Sequence, residues 1–291
     1  MTLPARKPDW LRVRLPAGAQ QDEFRGLKSR FGARGLNTVC EEARCPNIFE
    51  CWGQGTATVM ILGDTCTRGC RFCAVKTGKP DGVIDSNEPE NTALSLAEMG
   101  LAYVVLTMVD RDDLADGGAA HVAQTVRRIQ HHSPQLRVET LVGDFRGNHQ
   151  DIRTIVQDGH PDVFAHNVEV VPRLQRSIRD ARCSWDRSTG VLVAAKEFGS
   201  SITKSSLMVG LGEEGEEVLE AMRLLRDADV DVLTIGQYLR PTKRHARVER
   251  YVEPAEFEDF ERAGLEMGFR FVASGPLVRS SYRAAEVFLT G

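Results

Sequence analysis

The sequence predicts an α/β protein: a partial, open (β/α)6 TIM-type barrel, with N-terminal and C-terminal extensions covering the barrel opening. Three observations carry that prediction. Short β-branched apolar runs recur along the chain with helical patterns between them, and such βα alternation implies a parallel sheet or barrel. The units number about six plus an appended strand, too few to close eight strands comfortably. With 291 residues, 42% of them hydrophobic and 27% charged, the chain suits one large α/β domain or two small ones. The same composition excludes disordered, collagen-like and low-complexity classes.

In chain order, strands are expected at 58–62, 103–108, 137–142, 163–167, 202–209, 232–236 and 271–273. Most are continuous apolar runs, as parallel strands covered on both faces should be. Helical spacing of apolar residues marks 94–99, 119–130, 151–158 and 214–227. Residues 1–55 read as an N-terminal extension carrying the first group of cysteines, 56–275 as the barrel, and 276–291 as a C-terminal segment.

Charge is nearly balanced, 37 basic against 41 acidic residues for a formal net charge of -4. That gives no global pull toward nucleic acid or anionic lipid, and neither is expected as a partner. No run approaches the ~18 apolar residues of a membrane span. The first ten residues contain no apolar signal region, so a cytoplasmic location is expected. Nothing in the sequence resembles a coiled-coil seam, and a monomer is expected.

Seven cysteines are present, and six of them lie within a 34-residue window as two triplets. The first is Cys40-x4-Cys45-x5-Cys51; the second is Cys66-x3-Cys70-x2-Cys73. Odd-numbered triplets in a reducing compartment argue against disulfides. Structural zinc takes four ligands in a closed tetrahedron, whereas each triplet is one short and no histidine lies between Cys40 and Cys73. Iron–sulfur clusters also use thiolates, normally four per cluster. Three on a tight loop leave one iron open to a substrate.

The run Cys66-Thr67-Arg68-Gly69-Cys70-Arg71-Phe72-Cys73 resembles the signature of the radical S-adenosylmethionine (SAM) superfamily, with an aromatic residue just before the last cysteine. Several further segments resemble the lipoyl synthases. They are Cys40-Glu41-Glu42-Ala43 and Cys45-Pro46-Asn47 around the first triplet, Arg111-Asp112-Asp113, and His166-Asn167-Val168-Glu169. Gln237-Tyr238-Leu239-Arg240-Pro241-Thr242-Lys243-Arg244-His245 follows, with Arg279-Ser280-Ser281-Tyr282 near the C-terminus. The resemblance runs from Lys7 to Tyr282. One departure is Leu106-Thr107-Met108-Val109, where a small pair such as Thr-Ser is usual.

The resemblance implies two 4Fe–4S clusters and SAM. Cys66, Cys70 and Cys73 would hold the SAM-binding cluster; Cys40, Cys45 and Cys51 would hold an auxiliary one. Its fourth ligand would be a serine of the Arg-Ser-Ser-Tyr motif, Ser281 with Ser280 as the alternative. A serine oxygen binds iron less tightly than a thiolate and leaves a labile corner, which suits a cluster sacrificed as sulfur source. Gly117 and Gly118 would form a backbone edge near the methionyl amino group of SAM, and Asn167 and Glu169 would contact its nucleoside. Plainer readings of these four are a strand-to-helix turn and a helix cap.

The implied reaction inserts two sulfur atoms, at C6 and C8, into an octanoyl group on a lysine of a lipoyl carrier domain. The carriers are 2-oxoacid dehydrogenase E2 subunits and the glycine cleavage H protein. A reductant such as flavodoxin or ferredoxin and an iron–sulfur carrier for cluster rebuilding are implied as well. Arg240, Lys243 and Arg244 suit an acidic carrier or the SAM carboxylate, or form a solvated basic loop. Cys183 reads as a small apolar filler, His131-His132 as a surface pair, and Gly210-Leu211-Gly212 as an incomplete dinucleotide motif. Two alternatives stand beside this reading. One is another two-cluster radical SAM enzyme; the other is a zinc-stabilised module that binds a protein, which would carry no iron.

Overall fold

A computed structural model describes residues 7–12, 47, 55–282 and 284–288; Cys40, Cys45 and Cys51 lie outside the described residues. Its frame is one sheet of seven strands in the order β1-β4-β5-β6-β7-β8-β9. These are β1 (Thr56–Ile61), β4 (Tyr103–Met108), β5 (Arg137–Leu141), β6 (Val163–Ala165), β7 (Thr203–Val209), β8 (Val232–Gln237) and β9 (Phe271–Gly275). Every neighbouring pair is parallel, and β1 does not pair with β9, so the barrel is open on one side. The open partial barrel expected from the sequence is thus the observed architecture.

Parallel neighbours require crossovers, and helices supply them. They are α1 (Glu88–Ala97), α2 (Ala119–His132), α3 (His149–Arg153), the short α4 (Gln175–Ile178), α5 (Trp185–Glu197), α6 (Gly215–Asp227) and α7 (Pro254–Glu266). The sequence reading lacks α5 and α7. Both begin with clear start signals: the Ser184 side chain accepts from the Arg187 N–H, and Glu253 and Glu256 form a reciprocal capping box with Pro254 at the first turn. A two-residue ribbon of β2 (Thr65–Cys66) and β3 (Lys76–Thr77) closes the cysteine loop.

Alternation along the strands divides two environments. Val59, Ile61, Val104, Leu106 and Val138 pack outward against helices in one core half; Leu207, Val209, Leu233, Ile235 and Val272 do so in the other. The inward residues are partly polar. Lys204 Nζ bonds both oxygens of Glu139 at 2.9 and 2.8 Å, and Tyr103 Oη donates to the same carboxylate at 2.8 Å. Lys204 and Glu139 are 3% and 0% exposed, so this pair stands in a dry interior. Phe288, near the C-terminus, packs against Tyr103, Val105, Val163 and Val232 on the same inner side. Ala285 and Phe288 therefore pack on the inner face of the sheet. Tyr282 packs against the β1 half of the core, while Val278 lies against Gly236 of β8.

Candidate active site

At the C-terminal ends of the strands lies a cavity of about 260 Å3. Loops at this end of a barrel hold the reacting groups of such folds. Its wall includes Cys66, Cys70 and Cys73, the ends of β1, β4 and β5 at Met60, Met108 and Leu141, and His166, Asn167 and Glu169 beyond β6. Arg68, Asp110, Arg179 and Cys183 complete its polar part.

The cysteine loop is held at several points by backbone bonds, within itself and to the segments after β4 and at the end of α4. Thr67 N–H donates to Asp110 O at 2.9 Å, Arg71 N–H to Ile178 O at 2.8 Å, and Gly78 N–H to Cys66 O at 2.9 Å. Between Cys66 and Cys70 the Arg68 side chain turns inward and is 1% exposed. Its Nε and Nη2 bond Asp112 at 3.0 and 2.9 Å, and its Nη1 and Nη2 bond Asp144 at 2.8 and 2.6 Å. Two bidentate carboxylates match the guanidinium fork. Burial alone would make Arg68 easier to deprotonate, yet these carboxylates raise its pKa further. Burial likewise opposes ionisation of Asp144, but Arg68 holds that carboxyl below its ordinary range. The motif Arg111-Asp112-Asp113 is thereby a brace. Asp112 fixes Arg68, while Arg111 bonds Leu62 O at 3.0 Å and Asp113 accepts from Gly82 N–H at 2.7 Å.

Backbone N–H groups point at the sulfurs: Arg68 N–H at Cys66 Sγ, 3.4 Å, and Asp180 N–H at Cys70 Sγ, 3.3 Å, with the Val75 backbone acting on Cys73. Without a metal the thiols resist ionisation. Burial raises Cys66 and pushes Cys73 up to about 11. Cys70 is raised by its hydrogen bond to Cys183 and by burial, while that bond and the nearby Arg179 and Arg68 lower Cys183. Among the described residues no three His, Cys, Asp or Glu side chains converge on one point as around a single metal ion. Three separate thiols around a cavity, with backbone N–H donors aimed at sulfur, fit a cluster in which each thiolate takes a different iron.

Arg179 is buried at 7% exposure and forms no salt bridge among the described residues, although its charge reaches the carboxyl of Glu169. Its Nη1 donates to Ser188 Oγ at 2.7 Å, and its Nε is buried without a partner among the described residues. Ser188 in turn bonds His166 Nε2 at 3.0 Å, and His166 Nδ1 bonds Val142 O at 2.8 Å. A carbonyl accepts only, so Nδ1 carries the hydrogen and Nε2 accepts. Burial lowers His166 to about 4 and keeps it neutral. Burial also raises Glu169, to which Asn167 Nδ2 donates at 3.2 Å. A buried cation with a free donor, beside an amide and a carboxyl, is equipped for a zwitterionic ligand bearing a carboxylate and hydroxyls.

A second cavity of about 200 Å3 shares Phe72, Asn167 and Glu169 with the first, and so adjoins it. Ser206, Leu207, Met208, Gly236, Val278, Arg279 and Ser280 line the rest. Of the two motif serines, Ser280 lies on this wall and Ser281 beside it does not. Gly117 and Gly118 are not among the lining residues of either cavity. They take φ of +61° and +91° in the turn before α2, with the Asp116 carboxylate accepting from Gly118 N–H at 2.9 Å. A Cβ on Gly118 would stand 2.5 Å from Leu62 Cδ1, so close packing accounts for that glycine.

The plain readings of the remaining features fare unevenly. Cys183 is a cavity residue and not a mere filler, because the turn after α4 carries it beside Cys70. Its own chain neighbours give no such signal. His132 bonds Glu90 at 2.8 Å, and the backbone around Gly210-Leu211 closes on the Glu213 carboxylate. Neither forms a site.

A family model described as the radical SAM superfamily matches residues 60–253, about two thirds of the chain. A lipoyl synthase from Sorangium cellulosum is 58% identical over 97% of this chain and 79% of its own length. The chain belongs to the lipoyl synthase family. A mitochondrial lipoyl synthase from Bos taurus is 53% identical over 98% of this chain and 77% of its own length. Among solved structures, the FeFe-hydrogenase maturase from Carboxydothermus hydrogenoformans has the same fold, with TM-score 0.59 at 12% identity, covering 94% of this chain and 75% of its own. Membership makes this a radical SAM sulfur-inserting enzyme with a 4Fe–4S cluster, SAM and protein substrates for lipoylation. Its relatives include bacterial and mitochondrial proteins, and no helix among the described residues is long and apolar enough to cross a membrane.

Proposed function

We propose that this lipoyl synthase inserts sulfur at C6 and C8 of an octanoyl-lysine on a lipoyl carrier domain, with Cys66, Cys70 and Cys73 as ligands of the SAM-binding cluster. The observation that carries this reading is the meeting of those three thiols, Asn167, Glu169 and Arg179 around one cavity. When bound, the cluster and SAM together supply a 5′-deoxyadenosyl radical for hydrogen abstraction. The chain's own residues position and enclose. Arg68 fixes the loop between two cysteines, and the buried positive charge of Arg179 on the cavity wall would favour a ligand carboxylate. Asn167 and Glu169, which line both cavities, would contact the nucleoside. Apolar walls from Phe72, Leu207 and Met208 suit an acyl chain there and keep water from it.

The finer parts of the proposal concern the rest of the chain. Cys40, Cys45 and Cys51 in segment 1–55 would hold the sulfur-donating auxiliary cluster, with Ser281 as its fourth ligand and Ser280 as the alternative. Barrel 56–275 and segment 276–291 would then contribute to one reaction chamber between them. Carriers of the E2 and H-protein type, a flavodoxin- or ferredoxin-like reductant, an iron–sulfur carrier and a reducing, cytoplasmic setting complete the reading.

An anaerobic assay with an octanoyl-lysine peptide, SAM and a strong reductant, read by mass spectrometry, tests it. Expected are about eight irons per chain when both clusters are full, deoxyadenosine, and a peptide gaining two sulfurs. Cys66→Ala should abolish deoxyadenosine formation, whereas Cys45→Ala should abolish sulfur gain alone. Paired Ser280→Ala and Ser281→Ala variants separate the two serines by which one loses the auxiliary cluster. Deoxyadenosine without sulfur gain from fully loaded wild-type enzyme would refute the substrate assignment.

A further inference from the structure

The rim beside the cysteine loop carries a feature that the reaction itself does not use. After β8 the chain runs through Arg240, Lys243, Arg244, His245 and Arg247 before α7, and Pro241–Arg244 and Arg247 are exposed. This loop is pinned onto the cysteine loop. Ala246 N–H donates to Arg71 O at 2.8 Å, His245 Nε2 bonds Cys73 O at 2.9 Å, and Tyr238 Oη donates to Ala246 O at 3.0 Å. On the other side, Arg71 N–H bonds Ile178 O at 2.8 Å and its guanidinium bonds Ser177 O at 2.9 Å. Three segments are thereby stitched together around Cys73. They bring five exposed cations to one rim: Arg71, Arg176, Lys243, Arg244 and Arg247.

Among the described residues, none of these five takes part in an ion pair, although other exposed arginines near the cysteine loop do. Arg173 pairs with Glu217 at 2.6 Å, and Arg182 with Asp180 at 2.8 Å. In a chain of net charge -4, a cluster of cations left unneutralised creates a local positive field at the opening of the cavity. Such a rim sets encounter and register more than raw affinity.

We propose that this rim is a docking surface for the acidic face of the protein that presents the octanoyl-lysine; the inference rests on the lipoyl synthase reading above. The lysine arm enters the cavity lined by Phe72 and Cys73 while the carrier's body rests on the adjoining loops. An acidic protein fits better than a nucleic acid, because the three segments expose no aromatic side chain for base stacking: Phe72 is half-buried and Tyr238 buried.

The test uses the full chain with the double variant Lys243→Glu/Arg244→Glu, an octanoylated carrier domain of net negative charge, and a short neutral octanoyl-lysine peptide. The variant should raise KM for the domain about tenfold and flatten its salt dependence, with kcat unchanged. Both constants for the peptide should stay as in wild type. Anisotropy of the labelled domain on cluster-free enzyme should show the same weakening, and neutralising the domain's carboxylates should reproduce it on wild-type enzyme. An unchanged KM for the domain, or an equal loss on domain and peptide, would overturn the proposal. So would equally strong binding of a single-stranded oligonucleotide that competes with the domain. If loaded wild-type enzyme leaves the peptide unmodified, the reaction assignment fails instead, and the anisotropy still judges the docking surface.

Discussion

Gly236 is the seat of the C-terminal segment, and Gly236→Ala should unseat it. The residue belongs to β8, paired to Met208 of β7 on one side and Gly275 of β9 on the other, so the strand has nowhere to retreat. An added Cβ would stand 2.1 Å from Val278 O and 3.0 Å from Val278 C, both backbone atoms. An ordinary C···O contact is about 3.3–3.6 Å, so the segment must shift by more than about 1 Å. Overpacking of this kind costs about 1–3 kcal/mol. Because the sheet holds, the cost falls on the segment that can move, which includes Arg279, Ser280 and Ser281. At tenfold per 1.4 kcal/mol, its open form should rise roughly 5- to 150-fold. Limited trypsin digestion of the cluster-free protein reads this directly, as faster cleavage after Arg279 against unchanged cleavage within the barrel. In the loaded enzyme, deoxyadenosine formation should persist while sulfur gain falls. Wild-type cleavage after Arg279 with a lowered global Tm would refute the reasoning, since the strain would then have spread into the sheet.

Other perturbations follow from the buried charges. Arg68→Met leaves Asp112 and Asp144 without their buried cation and should destabilise by about 3–5 kcal/mol, measured by urea unfolding; Arg68→Lys should recover only part, because an ammonium cannot span two bidentate carboxylates. Lys204→Met strands Glu139 in the barrel interior at a similar cost, and Lys204→Met/Glu139→Leu should regain most of it. His166 is held near 4 against an ordinary 6.5, so the unfolded chain binds the extra proton between those values. Stability must therefore fall as pH drops from about 6.5 to 4, by up to about 3 kcal/mol from this residue. His166→Gln should flatten that part of the pH profile, and an unchanged slope in urea midpoints would contradict the assigned burial.

The strand positions, the parallel sheet and the spacing of the second cysteine triplet were all legible along the chain. Local apolar runs and turn residues act over a few positions, and the Cys66–Cys73 loop is a local object too. The helices at 185–197 and 254–266 were less visible, because their start signals lie in capping side chains and not in a clean apolar stripe. What linear order concealed was convergence. Glu139 and Lys204, 65 positions apart, sit in strands that read as uniformly buried, and only the curl of the sheet makes them a pair. Arg68 meets Asp144 across 76 positions and Cys183 across 115. No periodicity marks such contacts, since each partner alone looks like a solvated charge or a stray thiol. The sequence by itself determined the family, the βα frame and the identity of the clustered thiols, because these depend on local pattern and short spacing. Tertiary structure decided which charges hold the cysteine loop, which cation faces the cavity without a salt bridge and where the C-terminal serines lie, because desolvation and distance are set only when the barrel curls and the final segment packs against it.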